Sequence, residues 1–203
     1  ICASGFISSL ALQISPDLRF TPATRVENAC ASGSAAVYAA RDSIRAGTAK
    51  TTLVIGVEKM TAKDTKGVTE ALMTASYQEE EGGVSCPHIF ARYADAYFQV
   101  NGDKSEILAK IAVKNHTNAI KNPLAQIQKN VNFDFCNNIS DKNPMVASPL
   151  RLTDCSLISD GAAAVVMVSD DISHNFDRAV KFRAGVQVND FLPMSSRDIL
   201  KFE

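Results

Sequence analysis

The 203-residue sequence has no apolar run approaching the roughly 18–20 residues that a membrane-spanning helix needs. It also lacks a dominant charge: 21 Lys and Arg stand against 22 Asp and Glu, a net charge of −1. No electrostatic case arises for nucleic acid or for an anionic membrane. Five cysteines are scattered without paired spacing, and their number is odd. That argues against a disulfide framework and for a reducing compartment, the cytoplasm in the first instance or an organelle. In such a compartment the glycosylation patterns at Asn115-His116-Thr117 and Asn138-Ile139-Ser140 carry no meaning. Cys86 and His88 lie too close together to make a zinc site alone, and no second pair accompanies them. Internal repeats, low-complexity segments and phosphate-cradling glycine loops are absent, and no metal or cofactor is expected. Ile1 to Ile14 is apolar, but neither a basic leading region nor an initiator Met precedes it. We read it as a chain that begins within something longer, not as a signal peptide.

What remains is a chain of ordinary globular composition, 46% hydrophobic and 21% charged, long enough for a sizeable core. Ile1 to Gly5 reads as a strand end and turn, with Cys2 in the core. Phe6, Ile7, Leu10, Ala11 and Ile14 recur at helical spacing until Pro16. A helix is predicted over 30–46, with Val37, Ala40 and Ile44 on one face, Arg41 and Arg45 on another, and Gly47 just past its end. Thr51 to Val57 is β-branched and bounded by turn signals, so a buried strand is predicted. Residues 62–84 read as polar loop with a short helix near 69–73, and Glu79-Glu80-Glu81 as a solvated face. Further helices are predicted over 90–100 and 105–118, the second capped by Ser105 with Ile107, Leu108, Ile111 and Ala112 on one face. His116 falls near its C-terminus, where the helix dipole favours a charged imidazole. Phe133 and Phe135 alternate around Asp134, as a short strand or a helix edge. Gly161 to Val168 reads as a buried strand, and the alternation Val180, Phe182, Ala184, Val186, Val188 predicts another.

One stretch stands apart: Val26-Glu27-Asn28-Ala29-Cys30-Ala31-Ser32-Gly33-Ser34-Ala35-Ala36. It places a cysteine where an extended segment enters a helix, with almost nothing but small residues after it. A helix N-terminus offers unpaired N–H groups and the positive end of the dipole, which favour the nucleophilic thiolate. The same N–H groups can hold a developing oxyanion, and Gly33 with the alanines allows close approach. A buried, tightly packed structural cysteine is the plainer alternative.

VENACASGSAA resembles the nucleophile segment of the thiolases, acetyl-CoA acetyltransferases and 3-ketoacyl-CoA thiolases, above all the branch with sterol-carrier-protein-type and archaeal members. A second segment, Pro149-Leu150-Arg151-Leu152-Thr153-Asp154-Cys155-Ser156-Leu157-Ile158-Ser159-Asp160-Gly161-Ala162-Ala163-Ala164, resembles the one closing the N-terminal half of a thiolase. The resemblance runs from the first residues to about Val168. It implies an α/β fold: the N-terminal half of a thiolase, a mixed β-sheet flanked by helices, with a mostly helical loop-domain insertion. Residues 1–60 are then the first part of the core, 61–148 the insertion, and 149–203 the return to the core and the start of the next segment. The C-terminal thiolase half has no counterpart in these residues.

The resemblance implies that Cys30 takes an acyl group as a thioester and exchanges it between coenzyme A thioesters, in thiolytic cleavage or in condensation of acetyl-CoA. Ser156 matches the position whose hydroxyl contacts the pantetheine arm, and His88 or Ile89 falls where a side chain covers the acyl pocket. Cys155 then reads as a packed neighbour. Acyl-CoA and coenzyme A are the implied partners, and a homodimer or homotetramer the implied assembly. The family's activating histidine, in a Gly-His-Pro motif, and its second cysteine, in a Cys-x-Gly motif, belong to the C-terminal half and have no match here. The fragment alone is therefore expected to be inactive. The alternative is a non-catalytic thiolase-like protein that binds coenzyme A esters or serves as a dimerisation partner.

Overall fold

The computed structural model describes residues 7–201. The expectations for Ile1 to Gly5, including Cys2, lie outside them. In chain order the regular elements are α1 (Ser32–Arg45), β1 (Thr51–Lys59), α2 (Thr65–Met73), α3 (Gln78–Glu81), α4 (Cys86–Asn101), α5 (Ser105–Ala119), α6 (Phe133–Asn137), β2 (Met145–Ala147), β3 (Leu150–Arg151) and β4 (Asp160–Val168). The class is α/β, as expected. Two units divide the chain: residues 1–59 with 160–189, and residues 60–159 with 190–203. Residues 149–159 thus group with the helical excursion.

In the first unit, β1 and β4 form an antiparallel pair with Thr51 opposite Val168 and Lys59 opposite Asp160. β-Branched residues fit such a pleated ladder. α1 packs on β1, with Ala35 buried and Val37, Ala40 and Ile44 half-buried. Gly47, at φ +72°, ends the helix in the left-handed conformation that glycine adopts freely. The apolar periodicity over 7–14 builds a 3-10 helix instead of an α-helix, stopped by Ser15, whose hydroxyl accepts from the Asp17 N–H.

Two expectations fail here. β1 and β4, expected to be buried strands, leave Leu53, Ile55, Val57, Val165 and Val166 exposed in this chain, because α1 packs on the pair and nothing among the described residues covers the remaining side chains. The alternating run 180–188 forms no strand, and Val180, Val186 and Val188 are exposed. Alternation yields a strand only where a neighbouring edge supplies hydrogen bonds, and this segment pairs with neither open edge of the two-stranded β1–β4 ladder. Arg41 of α1 reaches this segment. Its guanidinium stacks on Tyr38 at 4.7 Å and donates to the Gly185 carbonyl at 3.3 Å, fastening the 180–188 segment to α1.

The second unit is held by two small apolar clusters. Ala91 of α4 meets Ala147 of β2 and Leu150 of β3, with Ala94, Leu108 and Cys155 around them. Ala109 and Ala112 of α5 meet Cys136 of α6, ringed by Val113, Val131, Phe133 and Phe135. The buried line of α5 therefore runs through alanines, while Ile107 and Ile111 are partly exposed. The small side chains let α6 approach closely, which the larger isoleucines would prevent. Phe133 and Phe135 belong to a short helix capped by Asn132, whose side-chain oxygen accepts from the Phe135 N–H at 2.8 Å. At the start of α5, Asp103 does the capping expected of Ser105: its carboxylate accepts from both the N–H and the O–H of Ser105.

The acidic run does not simply face water. Glu81 is buried, and Glu80 accepts from the N–H and O–H of Ser195. Arg197 adds a hydrogen bond to the Tyr93 hydroxyl at 2.6 Å. The segment 190–201, silent in the sequence, is thereby bound to α3 and α4.

Candidate active site

Cys30 lies in a 3-10 turn, Ala29–Ala31, that leads directly into α1. The turn is built by local hydrogen bonds. The Asn28 N–H donates to the Ser32 hydroxyl at 2.8 Å, and that hydroxyl donates to the Ala29 carbonyl at 2.7 Å. The Glu27 carboxylate accepts from the Ala29 N–H at 2.6 Å, and the side chains of Asn189 and Asn28 meet at 3.2 Å. Ala29 is held at φ +45°, a left-handed conformation unfavourable for a residue with a Cβ. Ser32 and Glu27 together hold this strained residue immediately before the cysteine. Cys30 itself is exposed and free in this chain. Beside it, a Cβ added at Gly33 would meet nothing within 4 Å.

In the second unit, a cavity of about 320 Å³ opens between α5 and the segment after β3. Leu108, Ile111, Ala112 and Asn115 form the helical wall, at the 3–4 residue spacing of one helix face. Leu150 and the run Thr153 to Ser156 form the other. Ser156 is exposed on that wall, its hydroxyl able to donate and accept. Cys155 packs into the Ala91 cluster, and burial, reinforced by the Asp154 carboxylate, pushes its thiol pKa up. Burial does the same for Cys136. In both, burial favours the thiol over the nucleophilic thiolate.

His88 and Ile89 occupy the first turn of α4, which starts at Cys86-Pro87, a favoured place for proline. His88 is exposed, and its Nδ1 shares a hydrogen bond of 2.8 Å with Ser85 Oγ. Ile89 is half-buried. Neither lines the cavity that holds Ser156. Cys86 makes an Sγ to Met73 Sδ contact of 3.7 Å. Of the four candidate residues, Cys30 belongs to the first unit and His88, Ile89 and Ser156 to the second.

Sequence reasoning missed two buried polar residues beneath the Ser156 wall. Arg151 is 3% exposed and Asn143 fully buried. Asn143 donates to the carbonyls of Phe135, Cys136 and Asn138 and accepts from the Thr153 N–H. Arg151 pairs with Asp154 at 3.0 Å and donates to the carbonyls of Asn137 and Ser105 at 2.6 and 2.7 Å. A charged pair three residues apart, directly after the apolar Pro149-Leu150, was the available signal.

Comparison with known proteins agrees with this architecture. Residues 4–171 match the family model of the thiolase N-terminal domain. The chain belongs to the thiolase family. It is 39% identical over 186 residues to an acetyl-CoA acetyltransferase of Methanothermobacter thermautotrophicus, covering 90% of this chain and 47% of that protein. An acetyl-CoA acetyltransferase of Methanocaldococcus jannaschii is also 39% identical, over 87% of this chain and 45% of its own length. Human sterol carrier protein 2 is 30% identical over 86% of this chain and 33% of its own length. The chain spans about half the length of the archaeal relatives or less.

Proposed function

We propose that this chain supplies the nucleophilic half of a thiolase-type acyltransferase. The observation that carries the reading is Cys30: an exposed free thiol in a strained turn that opens α1, within a chain of the thiolase family. The Cys30 sulfur attacks the 3-keto carbon of a 3-ketoacyl-CoA. The carbon–carbon bond to the coenzyme A side breaks, its electron pair leaves as the acetyl-CoA enolate, and a proton converts that to acetyl-CoA. The acyl group, now a thioester on Cys30, passes to the thiol of coenzyme A, and Cys30 recovers its proton. Run in reverse, the same steps condense two acetyl-CoA molecules. Splitting the transfer in two is what a nucleophile contributes. The N–H of Cys30 is one donor for the oxyanion that forms at each step. The reaction requires no metal or cofactor, since the thiol and the two thioesters supply all the reacting groups.

Ser156 is the candidate contact for the pantetheine arm, and His88 and Ile89 for the acyl group. The base that takes the Cys30 proton lies outside these residues, so the activity belongs to the full-length natural protein. We place that protein in the cytoplasm as a homodimer or homotetramer, to be checked by light scattering. The test of function is turnover: the full-length protein cleaves acetoacetyl-CoA in the presence of coenzyme A, and Cys30→Ala abolishes cleavage while leaving coenzyme A binding intact. Cleavage that survives Cys30→Ala overturns the reading. Binding without cleavage in the unaltered protein leaves a coenzyme A ester binder in its place.

A further inference from the structure

We propose that Arg151 is a positioning residue for the coenzyme A ester, acting through Ser156. This rests on the reading of Ser156 as a pantetheine contact. The cavity between α5 and the segment after β3 has two walls, and the Arg151 guanidinium is bonded to both. One terminal nitrogen donates to the carbonyl of Ser105, the first residue of α5, at 2.7 Å. The Nε donates to Asp154 Oδ2 at 3.0 Å, and the Arg151 backbone N–H donates to the same oxygen at 2.8 Å. The other terminal nitrogen donates to the carbonyl and side-chain oxygens of Asn137, at the end of α6. Arg151 and Asp154 side chains are 3% and 2% exposed, so water does not compete for these bonds.

The connection from Arg151 to Ser156 has little slack. The Leu152 N–H donates to the Pro144 carbonyl, the Thr153 N–H to Asn143 Oδ1, and the Cys155 N–H to the Leu152 carbonyl. The Cys155 side chain packs on the Ala91 cluster. Ser156 is the next residue, and it brings an exposed hydroxyl to the cavity wall at the end of this anchored run. Moving Asp154 therefore moves Ser156, and releasing Ser105 moves the α5 wall against it. A planar guanidinium reaches three chain segments at once with fixed angles, which a lysine ammonium cannot reproduce. Arg151 thus sets the spacing across the cavity without touching ligand.

The experiment uses the full-length natural protein, as wild type, Arg151→Lys, Ser156→Ala and the double variant. Initial rates are taken with coenzyme A varied, alongside thermal melts. Arg151→Lys should raise KM for coenzyme A about tenfold, with kcat changed less than twofold, because a small misplacement of a contact weakens binding. In the Ser156→Ala background the same substitution should add little to KM. An unchanged KM in Arg151→Lys overturns the proposal, as does an equal effect in both backgrounds or a fall in kcat alone. Should Arg151→Lys not fold, Asn137→Ala replaces it. Removing only the 3.2 Å side-chain contact should raise KM by a smaller factor in the same direction. An unchanged KM there again overturns the proposal. Failure of the wild type to acetylate Cys30 removes the functional reading itself. Acetylated wild type with an indifferent Arg151 removes only this inference.

Discussion

The β1–β4 pair and the turn after β3 illustrate two ways of holding a chain. Each strand of the pair is nine residues long, and the ladder joins backbone to backbone. Its side chains contribute little within this chain: Leu53, Ile55 and Val57 are exposed at 49, 37 and 74%, and Val166, opposite Leu53, at 56%. The turn after β3 does the reverse. It has almost no ladder, and two buried polar side chains, Asn143 and Arg151, reach backbone groups from α5, α6 and the turn itself. Apolar surface tolerates exposure at modest cost, whereas a buried polar group must find its partners on the spot. Single substitutions should therefore matter far more in the turn than in the strands.

The largest effect is expected from Arg151→Met. It leaves the Asp154 carboxylate buried without its charged partner, with only the residue-151 backbone N–H still donating to it, and should cost about 3–5 kcal/mol, read from the urea midpoint. A loss below about 1 kcal/mol would mean that the turn is held by its backbone alone. Asn143→Ala comes next, at about 2–3 kcal/mol, because three carbonyls and the Thr153 N–H lose one shared partner. Hydrogen exchange at the Thr153 amide should speed up in the same variant. Asp64, whose carboxylate accepts from the Gly67 N–H at 2.8 Å, caps α2. Asp64→Ala should cost about 1 kcal/mol.

Val57→Thr probes the other side of the comparison and should stay within about 0.5 kcal/mol in this chain. A clearly larger loss in the full-length protein would show that something covers this face there. The smallest effect is one of pH. Hydrogen bonds from Ser195 hold the Glu80 carboxyl below the ordinary carboxylate value. Its contribution is present above that ordinary value and is lost as pH falls through the lowered folded value. Protection of the Ser195 amide from hydrogen exchange should decline over that acidic window, and protection that does not change across it would separate Glu80 from the anchoring of 190–201.

The elements that the sequence announced were those with a local cause. The strand at Thr51 to Val57, the helix of α5 and the Gly47 stop each carry their own local signal, and the structure has all three elements. The strand expected to be buried is, however, largely exposed in this chain, and the buried line of α5 runs through Ala109 and Ala112 instead of the isoleucines. The tight helix entry at Cys30 was legible for the same reason, since small residues follow an extended lead-in there. What escaped depended on distant partners. Nothing near Val180 to Val188 tells whether a strand edge lies alongside, and nothing near Glu80 shows that Ser195 binds it. The wall behind Ser156 was hidden likewise, because Asn143 and Arg151 have meaning only once α5, α6 and the turn are brought together.

The most direct measurement is the mass of the peptide that carries Cys30 after brief exposure of the full-length protein to acetoacetyl-CoA. An acetyl adduct on Cys30, discharged on adding coenzyme A and absent from Cys30→Ala, is the predicted result. An unmodified Cys30 in a protein that still cleaves acetoacetyl-CoA, or an adduct on another cysteine, would contradict the account.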